Sequence, residues 1–236
     1  MSRRGGWLVE RRAGTASVLH ESWPPDDLAT RRVLCRCEVT GPALVLGSAQ
    51  RDDDADVAAA AGAGVAVVRR SSGGGAVLVS PGAQLWLDVW VPRGDTLWQE
   101  DVVRAAWWLG GVWAGALRRL GAPELHVHRG RAVKSAWSER VCFAGVGPGE
   151  VTLDGRKVVG MSQRRTRAGV RMSTMALLRW EPAPLLALLA LEDEQRADAV
   201  AEVEAAAIGL ERVIVQPEEP TVLLDAVATA VLARLP

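Results

Sequence analysis

At 236 residues, 49% of them hydrophobic, the chain can bury a substantial core and does not have the composition of a disordered segment. Its 28 Lys and Arg residues are matched by 28 Asp and Glu residues, so overall charge recommends neither a nucleic acid nor a membrane surface as partner, and any basic site must be local. Cys35, Cys37 and Cys142 are too few for a disulfide framework, no Cys/His set has zinc-site spacing, and no apolar stretch reaches bilayer length. The expectation is a soluble, cytoplasmic protein with no metal site and no secretory signal, since no apolar run follows the N-terminal arginines.

In chain order, residues 15–21 read as a short helix stopped by Pro24 and Pro25. Strands follow at 33–39 and 43–46, separated by a Thr-Gly-Pro turn. Asp52, Asp53 and Asp54 offer N-terminal carboxylates to a helix running to about residue 61, where Gly62 and Gly64 end it, and 65–69 returns as a strand. Beyond Gly73–Gly75 come strands at 76–79 and 85–91. In the second, Leu85, Leu87, Val89 and Val91 alternate with Trp86, Asp88 and Trp90, which predicts one buried face. Asp95 and Thr96 open a helix whose apolar positions Val102, Ala106, Leu109, Trp113, Leu117 and Leu120 recur at helical spacing. Strands are expected at 125–128 and around Cys142. Segments 151–153 and 157–160 flank Asp154–Gly155, a strong hairpin-turn dipeptide. Helices at 184–191, 198–208 and 221–235 make the C-terminal third helical. The pattern is that of an α/β protein, a sheet flanked by helices, forming one domain over 1–236.

Two segments carry chemistry. In 69–77, three consecutive glycines between strands let the backbone approach a ligand and present N–H groups to an oxygen, and Arg70 can grip a phosphate. A glycine run alone is weak evidence, because a flexible hairpin loop would look the same. It is neither a Walker loop, lacking Gly-Lys-Ser/Thr, nor a dinucleotide loop, because a strand follows it. The second segment is 149–165. Lysine occurs only at Lys134 and Lys157, against 26 arginines, so each surviving ammonium calls for inspection. Lys134 reads as a tolerant surface position. Lys157 stands at the start of a returning strand, where the turn gives it a defined direction. Arg156, Lys157, Arg164, Arg165, Arg167 and Arg171, with no acid among them, predict a concentrated positive field. His126 and His128 read as ordinary strand histidines.

Residues 70–77, Arg-Ser-Ser-Gly-Gly-Gly-Ala-Val, resemble the glycine motif of lipoate–protein ligases, and Asp154 to Gly160 resembles their lysine motif. Residues 43–50 are similar to the family's earlier strand ending in Gly-Arg-x-Gln. Together these motifs occur in family order over about residues 43–178. Val79, Ser48 and Met161 stand where the family usually has His, Arg and Ser, and near Arg171 the family's His-Gly-Ser/Thr tract keeps only its end. The resemblance implies a mixed sheet flanked by helices, in the biotin/lipoyl ligase fold related to class II aminoacyl-tRNA synthetases.

It also implies that ATP, with Mg, activates lipoic acid to an acyl-adenylate, which a target lysine then attacks. Ser72, Gly73, Gly74, Gly75 and Ala76 would line the acyl and phosphate site, with Gly160 and Gln163 contributing to its wall. Arg70 would contact the adenylate, and Lys157 would hold the acyl and phosphate oxygens. Implied partners are lipoyl domains of 2-oxoacid dehydrogenase complexes or the glycine-cleavage H protein. No accessory C-terminal domain is expected within this length, so a separate subunit or a preformed acyl donor could replace it. A second reading follows from Cys142–Phe143, which resembles the nucleophile segment of cysteine-dependent octanoyltransferases that take an octanoyl donor from acyl carrier protein. A third is a non-catalytic acyl-binding domain. Biotin ligation is disfavoured, because the Gly-Arg-Gly-Arg loop of biotin ligases is absent.

Overall fold

A computed structural model describes residues 2–4, 6–21, 23–24, 26–214 and 219–236; the expected helix stop at Pro25 lies outside them. The chain begins with β1 (Ser2–Arg4) and β2 (Trp7–Gly14), followed by α1 (Ala16–His20), where the Thr15 hydroxyl accepts the Val18 N–H as an N-cap. Next come β3 (Val33–Val39), β4 (Ala43–Leu46), α2 (Val57–Gly62), β5 (Ala66–Arg69), β6 (Val77–Val79) and β7 (Gln84–Pro92). The middle of the chain supplies α3 (Val102–Ala105), α4 (Trp107–Arg119), β8 (His126–Val127) and β9 (Val151–Leu153). β10 (Arg156–Arg165) and β11 (Gly169–Leu177) follow, then α5 (Pro182–Leu186), α6 (Asp193–Ala206), α7 (Leu210–Val213) and α8 (Pro220–Leu232).

Two mixed sheets result. The larger runs β1-β2-β3-β7-β11-β10-β9-β8, with β2 and β3 parallel and the other neighbours antiparallel; the smaller runs β5-β4-β6. One face of the large sheet packs Leu87 and Val89 against Leu109, Trp113 and Leu117 of α4 and Val227 of α8. Its other face packs Trp86 and Trp90 with Leu19 of α1 and Val45 of the small sheet. α5 and α6 close the small sheet through Leu185, Leu186 and Val203. β7 is therefore buried on both faces, not on one as its alternation predicts, because the small sheet and α1 cover the indole side.

Several expectations change with tertiary context. Asp52–Asp54 form a separate 3-10 turn, and Asp56 caps α2 by accepting the Ala59 N–H. Asp95 opens no helix, since its carboxylate is held by Arg32 and the Leu97 N–H; Asp101 caps α3 instead. Around Cys142 there is no strand. Val141 makes one bridge to Ala76, then Cys142–Ala144 turn as a 3-10 helix that buries Phe143 against Trp180. β2 and β11, unforeseen in the sequence, are both internal to the large sheet. Pairing of β9 with β10 bears out the hairpin: Asp154 has φ 50° and Gly155 φ 80°, as a tight two-residue turn requires.

Candidate active site

The glycine segment is the loop between β5 and β6, and Arg70 scaffolds it from within. The buried guanidinium donates to the carbonyls of Val45 (3.2 Å), Gly73 (2.8 Å) and Gly75 (2.8 Å). A side chain at Gly47 would collide with the Gly74 carbonyl oxygen, and one at Gly75 with the backbone at Val141, so both glycines permit close approach of segments. Ser48 N–H donates to Ser72 O (2.9 Å), and the Gln50 side chain accepts the Gly47 N–H (2.9 Å). The strand-end motif at 47–50 thus props the loop.

Facing the loop is a cavity of about 730 Å³, whose wall includes Ser72, Gly73, Gly74, Cys142, Lys157 and Gln163. The Ser72 hydroxyl reaches across to Ser162 on β10 (3.1 Å). Gly75 and Ala76 are not part of this wall, and Gly160 borders a smaller chamber that shares Cys142 with the cleft. Ala76 exchanges backbone hydrogen bonds with Arg140 and Cys142. Gln163 donates to Val102 O (2.9 Å), while its Oε1 is buried without a protein partner. A smaller apolar chamber of about 50 Å³, shared at Cys142, Met161 and Ser162, continues inward between Trp86, Phe143 and Met175. His20 borders it, its ring 4.6 Å from that of Trp86, and burial pushes its pKa down to about 4.

Lys157 enters the cleft wall where the β9–β10 register shifts, between Lys157 and Val159. Its ammonium donates to Cys142 O (2.7 Å), lies 2.8 Å from Glu150 Oε2 and sits 5.4 Å from the Phe143 ring centroid. The Lys157 and Glu150 side chains are only 3% and 4% exposed, so each needs the other's charge. Sequence reasoning missed Glu150. The available signal was the demand itself: a buried lysine in a neutral protein needs a carboxylate, and Glu150 lies one hairpin away.

The predicted concentrated positive field is not what the fold makes of residues 156–171. Strand alternation and the β10–β11 turn scatter them: Arg156 donates to Ala207 O, Arg164 to Ser71 Oγ, and Arg165 to the carbonyls of Gln99 and Glu100. Arg171 is buried beside Asp88. Lys134 is exposed and pairs with exposed Glu139. His126 is on β8, and a ring nitrogen of His128 meets Arg131 O, so the two do not converge on one site.

Two mixed sheets, a glycine loop and a buried ammonium make this an α/β domain whose cleft is suited to an anionic or carbonyl oxygen. Residues 26–235 match the family described as the lipoyl protein ligase A/B catalytic domain, and the chain belongs to that family of ligase and transferase enzymes. Among solved structures it is similar to a lipoate-protein ligase A bound with ATP, with TM-score 0.67 and 16% identity over 97% of this chain and 83% of that one. It is likewise similar to a bi-partite lipoate protein ligase from Thermoplasma acidophilum, studied with its E2 lipoyl domain (TM-score 0.66, 15% identity, 96% and 82% covered). A third match is P. falciparum LipL1 in complex with lipoate (TM-score 0.64, 13% identity), of which the chain spans 61%. At these identities the likeness establishes the fold, a mixed α/β architecture as the sequence motifs imply. No curated protein matches by sequence. Among the described residues no helix is long and apolar enough to cross a membrane.

Proposed function

We propose that this chain attaches a lipoyl or octanoyl group to a lysine amine of a lipoyl domain, from a 2-oxoacid dehydrogenase complex or a glycine-cleavage H protein, in the cytoplasm. The observation that carries the reading is the Lys157 ammonium, buried in the cleft wall opposite Gly73 and Gly74. As the neutral amine attacks, a C–N bond forms, the acyl oxygen gains negative charge, the bond to the leaving group breaks, and the proton lost by the amine passes to the departing group or to water. A fixed cationic donor beside that oxygen stabilises the transition state more than the ground state. In the first route, Mg-ATP and lipoate form an acyl-adenylate, releasing pyrophosphate, and AMP then leaves. The ATP and lipoate bound by similar structures support it. Residues 1–236 act as one catalytic domain.

A second reading, a thioester on Cys142 loaded from octanoyl-acyl carrier protein, has its own support. Cys142 borders both the cleft and the inner apolar chamber. Cations of the cleft wall already have carboxylate partners: Lys157 with Glu150, Lys134 with Glu139 (2.8 Å) and Arg140 with Asp54 (3.8 Å). Arg70 is committed to carbonyls. A triphosphate must compete with those carboxylates, whereas a neutral thioester does not.

Both donors are to be assayed side by side on an apo lipoyl domain, reading intact mass. One acyl adduct is expected, absent with Lys157→Ala. Loss in Cys142→Ser together with dependence on the octanoyl-carrier donor selects the thioester route; retention with Mg-ATP and lipoate selects the adenylate. No adduct from either donor, with acyl ligand still bound, would leave only an acyl-binding domain.

A further inference from the structure

Glu150 is more than a counter-charge. Its Oε2 accepts the Gly147 N–H (2.6 Å) and faces the Lys157 ammonium (2.8 Å), while Oε1 accepts the Met161 N–H (2.9 Å). β9 pairs with β10 only as far as Val159, so Met161 N–H lies beyond the end of the partner strand; the Glu150 side chain takes the place of that strand. One carboxylate thereby ties the loop before β9, the open edge of β10 and the ammonium into a single unit. Gly147 and Gly160 flank it closely: a Cβ at either would stand within 4 Å of the carboxylate.

An ammonium has three N–H groups. One is directed to Glu150 Oε2 and one to Cys142 O, with the Phe143 ring on a further side, which leaves one N–H for the cleft. We propose that Glu150 is the positioning residue of this site. By fixing the rotation of the Lys157 ammonium it leaves a single N–H to address one acyl oxygen during transfer, an inference that rests on the acyl-transfer reading of the cleft. Glu150 itself is not the proton acceptor. Three donors already occupy its carboxylate oxygens, which leaves no position there for the attacking amine.

Because the chain has only two lysines, the ammonium can be observed directly. In ¹⁵N-lysine-labelled protein, exposed Lys134 exchanges its Nζ protons quickly, whereas Lys157 gives a protected Nζ resonance. Glu150→Gln keeps the size but turns an acceptor into a donor, so the Lys157 resonance is expected to lose protection while the backbone amide spectrum is retained. In the transfer assay the same variant is expected to lower kcat by about 10- to 100-fold with KM for the acyl donor within about threefold, because orientation is lost and binding is not. Glu150→Asp, charged but shorter, should recover part of kcat. An unmoved Lys157 resonance in Glu150→Gln overturns the proposal, as does a moved resonance with unchanged kcat, or a loss confined to KM. If wild-type protein transfers from neither donor, the acyl-transfer reading itself fails, and the resonance still decides whether Glu150 holds the ammonium.

Discussion

Among the described residues two ion pairs are deeply buried. Arg171 lies 2.6 Å from Asp88, which is 0% exposed and also accepts the Trp86 indole N–H (2.9 Å) and the Cys37 thiol (3.4 Å). Arg171 further donates to the carbonyls of Leu19 (2.8 Å) and Glu21 (3.0 Å), so this pair clips α1 to the sheet. Lys157 and Glu150 are buried to the same degree, yet their ammonium borders the cleft and the glycine loop. Desolvation and pairing are therefore common to both; what separates a structural pair from a chemical one is access to a cavity where a reacting oxygen can sit. Replacing a compact ammonium by a guanidinium would also change the two sites differently. The Asp88 site uses a forked donor to reach several acceptors at once, whereas the cleft uses a point charge.

That distinction can be broken most directly at Asp88. Asp88→Ala leaves Arg171 buried and unpaired and is expected to cost about 3–5 kcal/mol of stability, read by urea denaturation, while transfer per folded molecule is unchanged. A fall in turnover without loss of stability would reverse the roles assigned to the two pairs. Next in size is the pH response on the same face. Burial, reinforced by Arg171 and Arg70 and opposed by Asp88, lowers the His20 pKa from 6.5 to about 4. As pH falls below 6.5 the unfolded chain takes up this proton first, so the contribution is whole above pH 6.5. It drains away by about pH 4, on the order of 3 kcal/mol. His20→Phe should flatten the stability profile over that window, and an equal slope in the variant would refute the assignment.

On the cleft side, Gly47→Ala drives a methyl group into the Gly74 carbonyl. It should cost roughly 1–3 kcal/mol by overpacking and depress transfer by displacing the loop. Full activity and stability would mean that the loop has another support. The smallest effect on stability belongs to Lys134→Ala: its ion pair with Glu139 is exposed on both sides, so the melting midpoint should stay at the wild-type value.

How much of this was legible varies residue by residue. The Asp154–Gly155 turn announced the hairpin because positive φ at both positions is a local demand that few residues meet. The glycine run announced a close approach because only a residue without Cβ can lie as Gly75 does against the backbone at Val141, and the scarcity of lysine singled out Lys157. β11 escaped notice because Arg171, Ser173 and Thr174 interrupt any apolar pattern; the burial of Arg171 and Thr174 is made tolerable by partners on β7 and α1, such as Leu87 O for the Thr174 hydroxyl (3.0 Å). β2 was hidden likewise by Glu10, Arg11 and Arg12.

By itself, then, the sequence determined the family, the α/β class, the loop and the hairpin lysine, since each rests on short-range backbone constraints or on motif order. Only the tertiary structure decided which cations do what. It turned Arg70 inward onto its own loop, sent Arg171 to Asp88, dispersed the remaining arginines and supplied Glu150 to Lys157. The physical reason is that a charge takes its role from the partner and the dielectric around it, and for most of these residues that partner lies tens of residues away along the chain.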